Sequence, residues 1–346
     1  IPTLNEAPAE AEATSHVLML RAATIRNLGS GAYSFLPLGA RTLNKIEAIV
    51  REEMDGAGAV EVLLPAMWPI EILEESGRLE VFGEDVIRFT DRHGRKGVLG
   101  PTHEEIITML MRANVSSYRQ IPITLYQIQT KFRDEVRPRF GVLRTREFVM
   151  KDAYSFDADQ EGLERSYDAM YEAYRRIFDR CGLEYTIVEA ESGAMGGSRS
   201  EEFMVASEIG DDTFVECPDC GYAANTERAE VGRPENREEG CEEPEIREVD
   251  TPGTTTIEEV SQLLEVDPSR MIKTLIYVAE GTPLAVLVGG DHELNENKLA
   301  RALGTAEVEL ADVATIESVT GAPVGFAGPV GLEDLEVIAD PPVMEI

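Results

Sequence analysis

Three side chains in one short stretch have the types and spacing to handle phosphate: Arg133, Glu135 and Arg144. Arginine offers a planar fork of N–H donors that fits phosphate oxygens two at a time, so two arginines around one concavity can grip a polyphosphate. Glu135, two residues after Arg133, falls on the same face of an extended chain and can accept a hydrogen bond from an exocyclic amine. The flanking sequence can position them. Leu125, Gln127, Gln129 and Lys131 alternate with Tyr126, Ile128, Thr130 and Phe132, the two-residue period of a strand. Glu147-Phe148-Val149-Met150 resumes an extended, largely apolar run, so the spacing predicts strand, loop, strand. For Arg133-x-Glu135 alone, a surface hairpin with weak Arg–Glu pairs is the simpler account.

Other elements follow from periodicity. Leu38 to Met54 reads as an amphipathic helix ended by Gly56 and Gly58, and Val60 to Leu64 as a short strand stopped by Pro65. Phe82 to Leu99 predicts a hairpin turning at Asp91-Arg92-His93-Gly94. A long helix is expected from Gln160 to Cys181, with Asp157 and Gln160 at capping-box spacing and its tyrosines packing. Thr102 and Glu105 have the same spacing before another helix. A strand from Tyr185 to Glu189 leads into the glycine-rich Ser192–Ser198, which lacks the Gly-Lys-Ser/Thr end of a P-loop. Composition changes after about Asp212, and Arg233 to Glu248 is acidic and poor in apolar residues. Beyond it, helices at Ile257–Leu264 and Glu296–Leu303 and strands at Met271–Val278 and Leu284–Leu287 predict a small α/β domain.

Composition narrows the function classes. At 346 residues and 43% hydrophobic content the chain should form at least two globular domains. No apolar run approaches a membrane span and no secretory leader is visible, so a cytoplasmic protein with no membrane role is expected. The net charge is −33, and residues 214–346 carry −21 of it, with 29 acids against 8 bases. Residues 1–213, with 36 acids against 24 bases, are far less acidic, so the excess lies away from the phosphate-handling stretch. Nucleic-acid phosphates need Lys and Arg, so the main grip on any RNA is expected outside this chain. Cys217-x-x-Cys220 is half of a zinc knuckle and Cys241 a conceivable third ligand, but no second pair or nearby histidine completes it. Reduced thiols are the expectation, with no metal assigned.

Several separated motifs resemble one family. Phe132-Arg133-Asp134-Glu135 with Arg144-x-x-x-Phe148-x-x-x-Asp152 resembles the second signature motif of class II aminoacyl-tRNA synthetases. Gly100-Pro101-Thr102-His103-Glu104-Glu105, Tyr126–Arg133 and Met150–Phe156 resemble bacterial prolyl-tRNA synthetases, and the likeness runs nearly from end to end. The helix and strand before Pro65 resemble the first class II motif, which in that family builds a homodimer interface. The resemblance implies an α+β fold: a class II antiparallel sheet flanked by helices in residues 1–213, an acidic boundary at 214–250, and part of a smaller α/β editing insertion domain in 251–346. It places the third class II motif and the anticodon-binding domain beyond Ile346.

By the same resemblance, Arg133 touches the α-phosphate of ATP and the proline carboxylate, Glu135 reads adenine, and Arg144 holds the outer phosphates. Mg²⁺ would accompany ATP. Thr102 and Glu104 match the family's clamp on the proline amino group, while His103 is expected to point away without a catalytic role. Lys273 matches a lysine used around the mischarged tRNA end, Gly325 and Pro329 the ends of a Gly-x-x-x-Pro editing loop, and Gly289–Asn295 a further part of that domain. Glu201 stands where the family often has histidine and receives no role. The implied activity is ligation of proline to tRNA(Pro), with hydrolysis of alanyl-tRNA(Pro). Threonine or serine synthetases are rivals within the fold. An inactive paralogue that binds nucleotide or tRNA as a regulator is a rival of another class.

Overall fold

The computed structural model describes the chain except residues 1, 10, 12, 192–198, 208, 231–247, 306–307, 333–334 and 346. The glycine-rich run 192–198, Cys241 and most of the acidic run 233–248 therefore lie outside the described residues. Contacts divide the chain into two units, Ile1–Glu184 and Tyr185–Ile346, a division ahead of the change in composition near Asp212.

In the first unit α1 (Thr14–Arg21) leads into a hairpin of β1 (Ile25–Gly29) and β2 (Ala32–Phe35). Helix α2 (Pro37–Gly56) opens on a proline, whose missing N–H costs nothing in a first turn. Strand β3 (Val60–Glu61) is shorter than the expected Val60–Leu64. Side chains end it: the Leu64 N–H donates to Gln127 Oε1 (3.1 Å), and the Leu64 carbonyl accepts from Gln129 Nε2 (2.8 Å). Next come β4 (Met67–Pro69), α3 (Glu71–Glu75), α4 (Arg78–Phe82), β5 (Arg88–Thr90) and β6 (Lys96–Leu99). The three strands form an antiparallel sheet in the order β4-β6-β5. The predicted turn between β5 and β6 is built by Asp91, whose Oδ1 accepts from the N–H groups of His93 and Arg95.

Helix α5 (Glu104–Asn114) precedes the long antiparallel pair β7 (Ile123–Phe132) and β8 (Glu147–Phe156). Their register runs unbroken from Ile123↔Phe156 to Phe132↔Glu147, and β3 joins β7 in parallel. Helix α6 (Gln160–Arg180) closes the unit. One face of this sheet buries Tyr126 with Met54 of α2 and Ala173 and Ile177 of α6. The other buries Leu125 against Leu64 and against Ile107 and Met111, one turn apart on α5. The strand pair is thus flanked by helices on both faces.

Two capping expectations are corrected. Helix α6 is capped by Asp159, whose side chain accepts from the Gly162 N–H, while Asp157 accepts from Ser155 and Ser166. Helix α5 has His103 as its N-cap and no side-chain cap, because the Thr102 hydroxyl donates instead to Glu104.

In the second unit β9 (Thr186–Glu189), β10 (Glu201–Met204), β11 (Phe214–Glu216) and β12 (Ala223–Asn225) form a small sheet in the order β10-β9-β12-β11. Helix α7 (Ile257–Leu264), with a Thr256–Glu259 capping box, leads to β13 (Ile272–Ala279) and β14 (Thr282–Gly289). Then follow α8 (Glu296–Leu303), β15 (Val308–Leu310), α9 (Val313–Thr320) and β16 (Glu336–Ala339). The sheet β15-β13-β14-β16 alternates its side chains between two cores. Tyr277, Leu284, Val286 and Val288 pack with Leu299 of α8, while Ile276 and Ala285 pack with Ile316 and Val319 of α9. That is the small α/β domain the periodicity predicts. Among the described residues, no helix is long and apolar enough to cross a membrane.

Candidate active site

The loop between β7 and β8 carries the proposed phosphate-handling residues, and it is folded. Arg139 and Arg144 bridge one another antiparallel, and the reversal between them uses positive φ at Phe140 (56°) and Gly141 (67°). A Cβ on Gly141 would lie 2.8 Å from the ring of His16 in α1, and one on Gly31 would lie 2.9 Å from Pro138. The Arg146 N–H also donates to the Gly31 carbonyl (3.0 Å). Helix α1 and the β1–β2 turn therefore brace this loop from outside.

Arg133 is exposed one residue past β7, held by its N–H to the Arg146 carbonyl (3.0 Å). Its guanidinium lies 5.4 Å from the Phe148 ring, and such stacking leaves the N–H groups in the guanidinium plane available to an anion. Glu135 and Arg144 are brought together: Arg144 Nε lies 2.7 Å from Glu135 Oε2, and the Arg137 N–H donates to Glu135 Oε1 (3.1 Å). The Arg144 hydrogen bond first, then the Arg137 N–H, holds the Glu135 carboxyl below the usual range. The two groups expected at opposite ends of ATP thus neutralise one another.

Thr102 and Glu104 meet at the start of α5. The Thr102 hydroxyl, itself buried, donates to Glu104 Oε2, making a short acceptor pair. Arg78 Nη1 lies 3.4 Å from that oxygen and 3.1 Å from Glu105 Oε1, which also accepts from Ser76 (3.2 Å). Buried Glu105 thus shares Arg78, leaving Glu104 less than fully neutralised. A neighbouring cavity of about 340 Å³ is lined in part by Arg78, Glu104, Glu105 and Arg112.

His103 points inward and is wholly buried. Its ring packs edge-on against Trp68, with centroids 4.8 Å apart. Nδ1 lies 2.6 Å from Lys131 Nζ and Nε2 3.1 Å from the Pro65 carbonyl. An ammonium has only donors, so Nδ1 accepts and Nε2–H donates to Pro65: the ring is neutral with one fixed tautomer. Burial, then the Lys131 charge, lowers the His103 pKa accordingly. Lys131, also wholly buried, lies 2.8 Å from Asp152 Oδ1. Burial lowers its pKa while the hydrogen bond to Asp152 opposes that shift. Asp152 Oδ2 accepts from Gln127 Nε2 (3.0 Å) and the Tyr154 hydroxyl (2.5 Å), and that hydroxyl accepts from the His103 N–H (3.2 Å). Two closed rings of polar contacts result, with the Lys131–Asp152 contact an ion pair and the others hydrogen bonds. One runs from the His103 ring through Lys131, Asp152 and Tyr154 to the His103 backbone; the other passes through Gln127 and Leu64 to Pro65.

Sequence reasoning missed Gln127, Lys131, Asp152 and Tyr154 in this role. The available signal was Gln127 and Lys131 in the polar phase of a strand whose apolar phase already faces a core. Gly100 belongs to the same construction. A Cβ there would meet Trp68 at 2.1 Å and His103 at 3.2 Å, so only glycine lets the chain pass behind both rings.

In the second unit Lys273 lies on β13 opposite Val288, and His292 lies 3.7 Å from Asp340 and 3.9 Å from Asp291. Gly325 has φ +89°, and the Phe326 N–H donates to Pro323 in the loop that leads to Pro329. Cys217 and Cys220 flank the turn between β11 and β12, where the N–H groups of Cys220 and Asp219 hold the Cys217 thiol below its ordinary pKa.

Fold and site together describe a helix-flanked strand pair with a cationic loop, followed by a small α/β domain. Residues 251–346 match the family model of the aminoacyl-tRNA editing domain. Over its own length the chain is homologous to proteins named Proline--tRNA ligase. The relative from Nitratidesulfovibrio vulgaris is 58% identical over 98% of this chain and 59% of its own, and that from Thermoanaerobacter sp. is 57% identical over 98% and 60%. The Geobacter sulfurreducens relative is 54% identical over 98% and 59%. The chain thus spans about 59% of the length of the curated relatives it matches. A solved Giardia lamblia prolyl-tRNA synthetase with prolyl-adenylate aligns over 50% of this chain and 36% of its own, at 22% identity and TM-score 0.47. That likeness is too partial to define the fold. The relatives lend no support to an inactive regulator.

Proposed function

We propose that residues 1–213 supply the ATP- and proline-binding part of a proline--tRNA ligase, with 214–250 a boundary and 251–346 part of a hydrolytic editing domain for alanyl-tRNA(Pro). The carrying observation is the Thr102–Glu104 pair beside α5 in a chain 58% identical to proteins of that name. A carboxylate backed by a hydroxyl suits the secondary ammonium of proline.

The proline carboxylate attacks the α-phosphorus of ATP, forming a carboxyl–phosphate bond as the bond to the pyrophosphate oxygen breaks. The carboxylate is ionised at neutral pH, so no general base is required, and rate comes from alignment and from charge stabilisation. Arg133, anchored over Phe148 with its N–H edges open, stabilises charge on the α-phosphate and holds the attacking carboxylate. ATP opens the Glu135–Arg144 pair: adenine's amine takes Glu135 and the outer phosphates take Arg144. Mg²⁺ would come with ATP as part of the substrate and would supply further charge stabilisation to the phosphates, with no residue of this chain assigned as its ligand. In the editing domain Lys273 and the Gly325–Pro329 loop hold the tRNA end while water attacks the ester carbonyl, and the bond to the ribose oxygen breaks to release alanine and the free tRNA hydroxyl. A cytoplasmic homodimer joined through the α2 region completes the proposal.

Calorimetric titration of this chain with non-hydrolysable prolyl-, threonyl- and alanyl-adenylate analogues tests the reading. Tight binding of the prolyl compound alone is expected; equal binding of all three, or of none, refutes a proline-specific site in this chain.

A further inference from the structure

From the two fused rings of hydrogen bonds and one ion pair we infer that Lys131, Asp152 and Tyr154 are positioning residues for the proline ammonium, acting through His103 on the Thr102–Glu104 pair. The inference rests on the proposed role of that pair as the amine acceptor.

His103 is the residue between the two acceptors, and it is held by both side chain and backbone. Its ring is fixed by Lys131 at 2.6 Å and Pro65 at 3.1 Å, its N–H by Tyr154 at 3.2 Å. Lys131 and Tyr154 are bound to the two oxygens of the same carboxylate, Asp152, at 2.8 and 2.5 Å. With the ring locked inward, the neighbouring side chains of Thr102 and Glu104 are left to meet each other, as they do.

Such anchoring matters because Glu104 has a competitor. Arg78 Nη1 already pairs with Glu104 Oε2 at 3.4 Å, so a turn of the α5 start that shortened this contact would favour the guanidinium over a ligand amine. Hydrogen-bond strength falls steeply with misalignment, and effective alignment tolerates only a fraction of an ångström. A charged pair is also a costly way to fill a core, since apolar residues of equal volume are often as stabilising. What the charged ring adds over an apolar filling is direction: Lys131 and Pro65 hold the His103 ring and Tyr154 holds its backbone N–H.

The test compares prolyl-sulfamoyl adenosine with its isostere cyclopentanecarbonyl-sulfamoyl adenosine, which lacks the ring nitrogen, in calorimetric titrations of this chain and two variants. Tyr154→Phe removes one hydroxyl and frees the His103 N–H. The double variant Lys131→Met/Asp152→Asn removes the buried charges together, leaving neither ion unpaired, and melting curves report whether each variant folds. Expected for both is about tenfold weaker binding of the prolyl compound, the scale of one lost directional hydrogen bond, with the isostere changed less than about twofold. Equal losses for both compounds, or unchanged prolyl preference in a folded Tyr154→Phe, overturn the inference and leave the proline reading standing. If the parent chain shows no preference for the prolyl compound over the isostere, the amine-acceptor reading fails and the inference falls with it.

Discussion

Chemistry-bearing residues are legible in a sequence when their type is uncommon for their surroundings, and illegible when they look ordinary. Arg133, Glu135 and Arg144 stand out because charged residues follow a strand abruptly. The structure adds that Glu135 and Arg144 hold one another at 2.7 Å while Arg133 rests on Phe148. Lys131 looked ordinary: it occupies the polar phase of an alternating strand, where solvent is the default. It is instead wholly buried, as is Gln127, because Asp152 and Tyr154 on the paired strand satisfy that face. Such partners are set by strand register, which no local pattern of residues displays. The different anchoring of the two arginines leads to a prediction. Arg133→Ala should lower proline-dependent exchange of pyrophosphate into ATP by about 10²–10³-fold, the scale of removing one fixed charge stabiliser, without lowering the melting temperature. Exchange is measured in a longer protein containing this chain, and activity within threefold of the parent would remove Arg133 from the chemistry. Glu104→Ala should weaken proline binding at least tenfold more than ATP binding, read by titrating each ligand separately; equal losses would indicate a general disturbance of α5.

At the scale of elements, periodicity located α2, α6, α7 and α8 to within a residue or two, and the apolar stripes of α2, α6 and α8 reach the cores. Ends were harder to read. Strand β3 stops early because Gln127 and Gln129 take over the Leu64 backbone groups, and α5 begins at an N-cap whose histidine serves another bond. Both depend on side chains that arrive from distant segments. The folding of the β7–β8 loop was equally invisible, since it is braced by α1 and the β1–β2 turn, more than a hundred residues earlier. Gly141 marks that brace: its φ is +67°, and a methyl group at its Cα would sit 2.8 Å from His16. Gly141→Ala adds a left-handed penalty of ~1–2 kcal/mol to that clash. The expected result is a melting temperature lower by several degrees and weaker ATP binding, with proline binding retained. ATP affinity equal to the parent's would show that the loop is held in place without its brace.

For the whole molecule, the proposed substrate, proline, would demand two sites. A pocket that fits proline also admits alanine, and each missing methylene is worth only about 1–3 kcal/mol of discrimination. On that proposal a single site would not exclude alanine by orders of magnitude, and a second site would act after transfer, on an ester carried by RNA. The charge distribution sets a severe condition on that site, because residues 214–346 have 29 acidic side chains and only 8 basic ones. An RNA end entering such a field gains little from general electrostatics, so individual cations matter more. Lys273 is one of just two lysines in residues 214–346, and it lies on β13 at the Val288 register position. Lys273→Ala, in a protein long enough to bind tRNA, should slow hydrolysis of alanyl-tRNA at least tenfold while pyrophosphate exchange with proline stays at the parental rate. Raising salt should reduce editing in the parent more than in the variant, since the variant has already lost the contact that salt screens. If hydrolysis survives the substitution with its salt dependence unchanged, the cation that holds the tRNA end lies elsewhere, and Arg270, two residues before the start of the same strand, becomes the residue to substitute.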